Sequence, residues 1–191
     1  MIGSLRGRVT HLGQDFALFE VGGIGYRVVA GPALLARLRR GAEASVFTHH
    51  LVREDQQALF GFATTEELAF FELLMTVSQV GPRLALAITA AHPVTKLQLA
   101  ILTDDIDVYT SVSGVGRKTA QRIILELKEK VHAAGVAAGG GGTTDSDIVA
   151  ALESLGYTAT EARRAAGAVA GAEGGLDSRI KAALQELARS R

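Results

Sequence analysis

"VSGVGRKTAQRI" (residues 112–123) passes from small residues and two glycines straight into a basic helical pattern. Thirty-five residues earlier, "VSQVGPRLALAI" (77–88) is a near copy. With the two stretches aligned, Val77/Val112, Ser78/Ser113, Val80/Val115, Gly81/Gly116, Ala85/Ala120 and Ile88/Ile123 are identical, and Arg83 falls on Lys118. The shared pattern predicts a helix, a tight glycine turn, and a second helix with a cation at its start. Glycine permits positive φ and leaves neighbouring backbone N–H groups uncovered. A helix start adds unpaired N–H donors and a partial positive charge, a combination that suits a phosphate oxygen. Lys118 or Arg83 would place a full charge beside it. A grip of this kind reads a sugar–phosphate backbone and ignores base sequence. A single such turn is most often an ordinary helix stop followed by a solvated lysine. Two turns at a fixed spacing, each with its cation in the same place, point to a repeated grip.

Upstream of the pair the period changes. In residues 1–62, "DFALFEVGGIGYRVVA" reads as two β-rich runs around Gly22-Gly23, a hairpin signal. "ASVFTHHLVREDQQALFGFA" repeats the scheme, with Phe47, His49 and Leu51 on one face and Thr48, His50 and Val52 on the other. Several short strands with glycine turns predict a small barrel of the OB kind, marginal alone. Residues 63–132 read as all-helical. Thr64 and Glu67 form a capping-box pattern, and Leu68, Phe71, Leu74 and Val77 recur every third residue. Pro82 suits a first helical turn, His92-Pro93 a stop, and Asp104 or Asp105 a short helix through Tyr109. A last helix from about Arg117 to Val131 puts Ile123, Ile124, Leu127 and Val131 on one side.

Downstream, "AAGVAAGGGGTTDS" (133–146) has no hydrophobic period and reads as a flexible linker. Residues 147–191 recover helical patterns. Leu152 and Leu155 precede Gly156, Thr158 pairs with Glu161, and Asp177 opens a helix carrying Ile180, Leu184 and Leu187. Three short helices make a unit too small to bury much core, and tethered bundles of this size usually bind something.

Composition narrows the chemistry. The 20 Lys and Arg balance the 20 Asp and Glu, which argues against a plain polycation but leaves room for local patches. With 0 cysteines, disulfides, thiolate metal sites and cysteine nucleophiles are all excluded. The start "MIGSLRGRV" lacks a signal-peptide core and no apolar run reaches membrane-span length, so a cytoplasmic protein is expected. Lys118-Thr119 is not a nucleotide-binding loop, because Arg117 and Val112 stand where glycines are required. His11, His49, His50, His92 and His132 show no metal spacing, and no nucleophile elbow occurs. The acids of "LTDDIDV" suit helix capping better than a cation site.

"GVGRKTAQRIILELKEK" resembles a helix–hairpin–helix DNA-binding motif. Together with "VGPRLALAI", "VREDQQALFGF" and "ALESLGY" in this order, the chain closely resembles the RuvA family of Holliday-junction proteins over nearly its whole length. The resemblance implies an α+β multidomain fold: an OB-like β-barrel at 1–62 that mediates oligomerisation, a tandem helix–hairpin–helix domain at 63–132, the linker at 133–146, and a UBA-like three-helix domain at 147–191. It further implies a non-catalytic subunit that binds four-way junctions without sequence preference, in recombination, DNA repair and the SOS response to DNA damage. The implied partners are junction DNA, the hexameric RuvB ATPase, the RuvC resolvase as a further candidate, and copies of the chain itself as a tetramer or face-to-face octamer. No cofactor, metal or membrane is implied.

Carried over by motif, Gly81 and Arg83 belong to the first hairpin and Gly114, Gly116, Arg117, Lys118 and Arg122 to the second. Glu54 and Asp55 match the family's acidic pin, the paired-acid loop at the junction centre. A carboxylate 4 Å from a phosphate is repelled by about 1 kcal/mol in water and about 4 kcal/mol at an effective dielectric of 20. Such repulsion disfavours continuous duplex across the centre, although a turn rich in acids is ordinarily just solvated. Leu152, Leu155, Tyr157 and Leu184 match the apolar positions that contact RuvB, and they equally suit a small core. Two departures stand out. Gln79 replaces the usual glycine, at a cost on the order of 1 kcal/mol if that position needs positive φ. Phe60 replaces a common tyrosine.

Two other readings remain open at this level. One is a hairpin-containing glycosylase or nuclease, which would want an essential Asp shortly after its hairpin; here the next Asp is Asp145. The other is an adaptor that binds only proteins.

Overall fold

The computed structural model describes the backbone of residues 1–138, 145–170 and 175–189, and the side chains of these except 131–138. The first elements are β1 (Ser4–Leu12), β2 (Phe16–Val21), β3 (Ile24–Ala30), α1 (Pro32–Arg37), β4 (Glu43–Val52) and β5 (Gln57–Phe62). The strands close into a barrel in the order β1-β2-β3-β5-β4. All neighbours are antiparallel except β3 and β5, which pair in parallel with Val28 opposite Leu59 and Ala30 opposite Gly61. This is a five-stranded OB-like barrel. Alternation sets its inside: along β1, Leu5, Gly7 and Val9 are buried while Arg6 and Arg8 are exposed. Phe19, Val28, Val46 and Leu59 join Leu5 and Val9 in the core, and α1 contributes Leu34. Gly22 and Gly23 have φ 58° and 82°, as a tight two-residue hairpin turn demands.

Helix α2 (Thr65–Met75) follows directly. Thr64 Oγ1 accepts from the Glu67 N–H at 3.2 Å, as the capping pattern predicts. The Glu67 carboxylate reaches one residue further back than a reciprocal box would, accepting from Ala63 N–H at 2.8 Å. Phe71 lies 4.9 Å from the Phe62 ring, 5.5 Å from Phe60 and 5.3 Å from His49, centroid to centroid. Phe60 is buried in this aromatic cluster, where a bare ring leaves no hydroxyl to satisfy. The chain divides into two compact units between Glu72 and Leu73. Phe71 thus falls in the same unit as the barrel's aromatic residues.

The second unit contains α3 (Pro82–Ala91), α4 (Val94–Leu102), α5 (Ile106–Thr110), α6 (Arg117–Ala138), α7 (Asp145–Ser154), α8 (Ala159–Ala168) and α9 (Leu176–Arg189). Its hairpin helices bury Leu74, Ile88, Leu97, Ile101, Ile123 and Leu127 completely. The fully buried Tyr109 donates its hydroxyl to the Leu97 carbonyl at 2.9 Å, and burial pushes its pKa above the ordinary phenol value. Asp105 caps α5, accepting from the Asp107 and Val108 N–H groups.

Helix α6 runs past the expected end near Val131 to Ala138. The alanine-rich start of the expected linker favours helix over coil. The remaining linker residues, 139–144, and the Val131 side chain lie outside the described residues. In the tail, α7 ends in a Schellman turn: Gly156 has φ 96°, Tyr157 N–H bonds the Leu152 carbonyl at 3.1 Å, and Gly156 N–H bonds that of Glu153 at 2.9 Å. Thr158 and Glu161 form a reciprocal capping box.

A contact that local patterns did not reveal ties the tail to α4. Gln98, 1% exposed, donates to the Leu155 carbonyl at 2.7 Å and accepts from the Tyr157 hydroxyl at 2.8 Å. Among the described residues no single helix is long and apolar enough to cross a membrane.

Candidate nucleic-acid interface

The sequence echo is an echo in space as well. In the first turn Val77 N–H bonds the Leu74 carbonyl at 3.0 Å and Val80 N–H that of Val77 at 3.1 Å; in the second, Val112 bonds Tyr109 at 3.1 Å and Val115 bonds Val112 at 3.0 Å. The helix beyond each turn starts alike, with Ala85 N–H to Gly81 carbonyl and Ala120 N–H to Gly116 carbonyl both at 2.9 Å. Val77, Val80, Ala85 and Ile88 are buried, and so are Val112, Val115, Ala120 and Ile123. Each turn therefore hangs from an apolar footing, while Gly81, Arg83, Gly114, Gly116, Arg117 and Lys118 are exposed.

The glycines do different jobs. Gly114 has φ 88°, a region that costs a residue with a Cβ roughly 1–2 kcal/mol. Gly81 has φ −90°, and Gly116 is not among the positive-φ residues. A Cβ on either would meet nothing within 4 Å. Neither local conformation nor packing requires glycine at these two places. A bare backbone there leaves room for a ligand to come close to the amides. Helix α3 starts at Pro82, which carries no N–H, and Gly81 has no side chain to cap the N–H groups that follow.

Arg83, Arg117 and Lys118 extend from the starts of α3 and α6 into solvent. Arg122 behaves otherwise. It is half-buried, and its Nη1 donates to the Gln79 side-chain oxygen and lies 3.5 Å from the Ser78 carbonyl. Glu126 accepts from the Ser78 N–H at 3.1 Å. The position doubted in the sequence, Gln79, does adopt positive φ, at 66°. Ser78, Gln79 and Glu126 are thus part of the turn's architecture. In the sequence Gln79 shows only as a departure and Ser78 only as a repeated position, and Glu126 carries no signal beyond its helical spacing from Arg122. Further along α6, Lys128 pairs with Asp104 at 2.7 Å and Lys130 bonds the Thr76 hydroxyl, so these cations brace neighbouring loops.

In the barrel unit, Glu54 and Asp55 sit exposed at the tip between β4 and β5, closed by Arg53 N–H bonding the Gln56 carbonyl at 2.8 Å. The tail residues are placed differently from an open contact face. Leu152, Leu155 and Leu184 are 0% exposed and Tyr157 is 5% exposed. In this arrangement they are interior. No group of three or more His, Cys, Asp or Glu suited to hold a metal ion occurs among the described residues.

An OB-like barrel joined to two matching turns, each with a bare glycine just before a helix that starts with a cation, defines a tandem helix–hairpin–helix protein with the geometry of a phosphate-backbone binder. Comparison with known proteins agrees along the chain. Residues 1–61 match the RuvA N terminal domain, 71–129 the SAM-like helix-hairpin-helix tandem, and 145–188 the RuvA C-terminal domain. The Holliday junction branch migration complex subunit RuvA of Acidothermus cellulolyticus is 47% identical over 163 residues, covering 85% of this chain and 83% of the relative. The proteins of the same name from Rhodococcus opacus and Mycobacterium leprae are 43% and 42% identical, with 83% or more of either chain covered. The chain belongs to the RuvA family.

Proposed function

We propose that this chain is the four-way-junction DNA-binding subunit of a branch-migration complex, acting in the cytoplasm in recombination and repair and without catalytic activity of its own. The doubled turn is the observation that carries the reading. Two bends with matching backbone hydrogen bonds hold Gly81, and Gly114 with Gly116, exposed, with Arg83, Arg117, Lys118 and Arg122 as charge support. Main-chain donors and a few cations suffice for such a grip, which reconciles DNA binding with zero net charge. Glu54 and Asp55 would act at the junction centre, repelling phosphates and holding the strands apart. The barrel (1–62) would assemble the chain into a tetramer, or an octamer of two face-to-face tetramers.

The tail (147–191) would recruit the hexameric RuvB motor. Engagement through Leu152, Leu155, Tyr157 and Leu184 requires the tail helices to open, since all four are buried. The RuvC resolvase would share the same junction.

A gel-shift titration of the purified protein against an immobile four-way junction and a linear duplex of equal length, repeated across a salt series, tests the reading. The junction is expected to bind more tightly at every salt concentration, with both affinities falling as salt rises. Equal affinity for the two DNAs would overturn it.

A further inference from the structure

Among the described residues only Gln79 and Asp104 combine a side chain with positive φ. Aspartate tolerates this region; glutamine has no such ease, so its surroundings must hold it there. The surroundings are on α6. Arg122 Nη1 donates to the Gln79 side-chain oxygen and reaches the Ser78 carbonyl at 3.5 Å, while Glu126 accepts from the Ser78 N–H at 3.1 Å. Arg122 and Glu126 stand four residues apart, on one face of the helix.

The pseudo-repeat supplies an internal control. At the same offset of 35, the residues of α3 that correspond to Arg122 and Glu126 are Ala87 and Ala91. Helix α3 lies beside the second turn, where a Cβ on Gly114 would sit 3.6 Å from Leu84 Cδ1. That turn has glycine at φ 88° and needs no polar support. The Arg–Glu pair therefore occurs on the helix serving the glutamine turn and is replaced by alanines on the helix serving the glycine turn.

We propose that Gln79, Arg122 and Glu126 form a clasp that sets the first turn in its phosphate-binding shape. Gln79 is then a positioning residue, and Arg122 has a task besides its charge: it couples the shape of the first hairpin to the helix of the second. The proposal rests on the DNA-binding reading above. An Arg122 that served only as a phosphate ligand would leave Gln79 strained and the alanine counterparts without meaning.

The test compares full-length wild type with Gln79→Ala, Gln79→Gly, Arg122→Ala and the double variant Gln79→Gly/Arg122→Ala. Gln79→Ala keeps the unfavourable conformation and loses the clasp, so junction affinity is expected to fall about fivefold with an unchanged salt slope. Gln79→Gly removes the need for support and is expected to stay within about twofold of wild type. Arg122→Ala should cost more in the wild-type background than alongside Gln79→Gly. An equal cost in both backgrounds, or wild-type binding by Gln79→Ala, would overturn the proposal. Hydrogen exchange of the Ser78 amide in the DNA-free protein separates the two layers of the argument. Exchange should quicken in Glu126→Ala and in Arg122→Ala; unchanged exchange in both would sink the clasp, whereas absent junction binding by wild type would sink the DNA reading instead.

Discussion

Lys118 occupies the first turn of α6, exposed and beside an amide-rich bend, whereas Lys128 and Lys130 further along the same helix are tied to Asp104 and Thr76. Residue type alone does not separate these lysines; placement does. A lysine at a helix start adds to the positive end of the helix dipole, a local strain that a bound phosphate would relieve. Lys118→Ala is therefore expected to weaken DNA binding evenly across sequences and to lower the salt slope by about one, read from titrations at several salt concentrations. An unchanged slope would remove Lys118 from the phosphate contacts. Lys128→Ala should leave the slope alone, because that ammonium is already paired.

At the scale of elements, the β4–β5 hairpin carries two acids where a turn of any polar residues would have served the barrel. Neither Glu54 nor Asp55 is buried, so replacing both by their amides is expected to change stability little while relaxing the preference for junction over linear duplex. The affinity ratio for the two DNAs reads this directly, and an unaltered ratio would reduce the pair to an ordinary solvated turn. The hairpin tip was legible in the sequence, and so were the caps at Thr64 and Thr158, the start of α5 at Asp104 or Asp105, and the stop at Gly156, because each depends on residues within one helical turn or one tight bend. What stayed hidden depends on distant partners. The parallel pairing of β3 with β5 leaves no mark on either strand alone. The grip of Glu126 on Ser78 joins residues 48 apart, and the Gln98 bonds to Leu155 and Tyr157 span 57 and 59. The length of α6 is hidden for another reason: glycines 139–142 give the whole stretch a linker's composition, while the alanines before them continue the helix.

At the largest scale the question is how the tail is held. Gln98 binds the turn after α7 through both ends of its amide, and it is nearly fully buried. Gln98→Ala removes the bonds to the Leu155 carbonyl and the Tyr157 hydroxyl, a loss of about 1–3 kcal/mol for buried polar groups. Hydrogen exchange of the full-length variant should show this as faster exchange in α7 to α9, with the buried centre around Ile123 and Leu127 much less affected. Removing residues 145–191 is the harsher form of the same experiment. It uncovers Gln98, whose amide water then satisfies, and some apolar surface of α4, but it leaves both turns and their footings at Val77, Val80, Val112 and Val115 in place. Junction binding by the truncated chain is therefore expected to stay close to wild type in a gel shift, while stimulation of the motor ATPase on junction DNA is lost. A truncated chain that still stimulates the motor would move the recruiting surface out of the tail. One that no longer binds the junction would mean that the tail, through Gln98, helps hold the hairpins in shape.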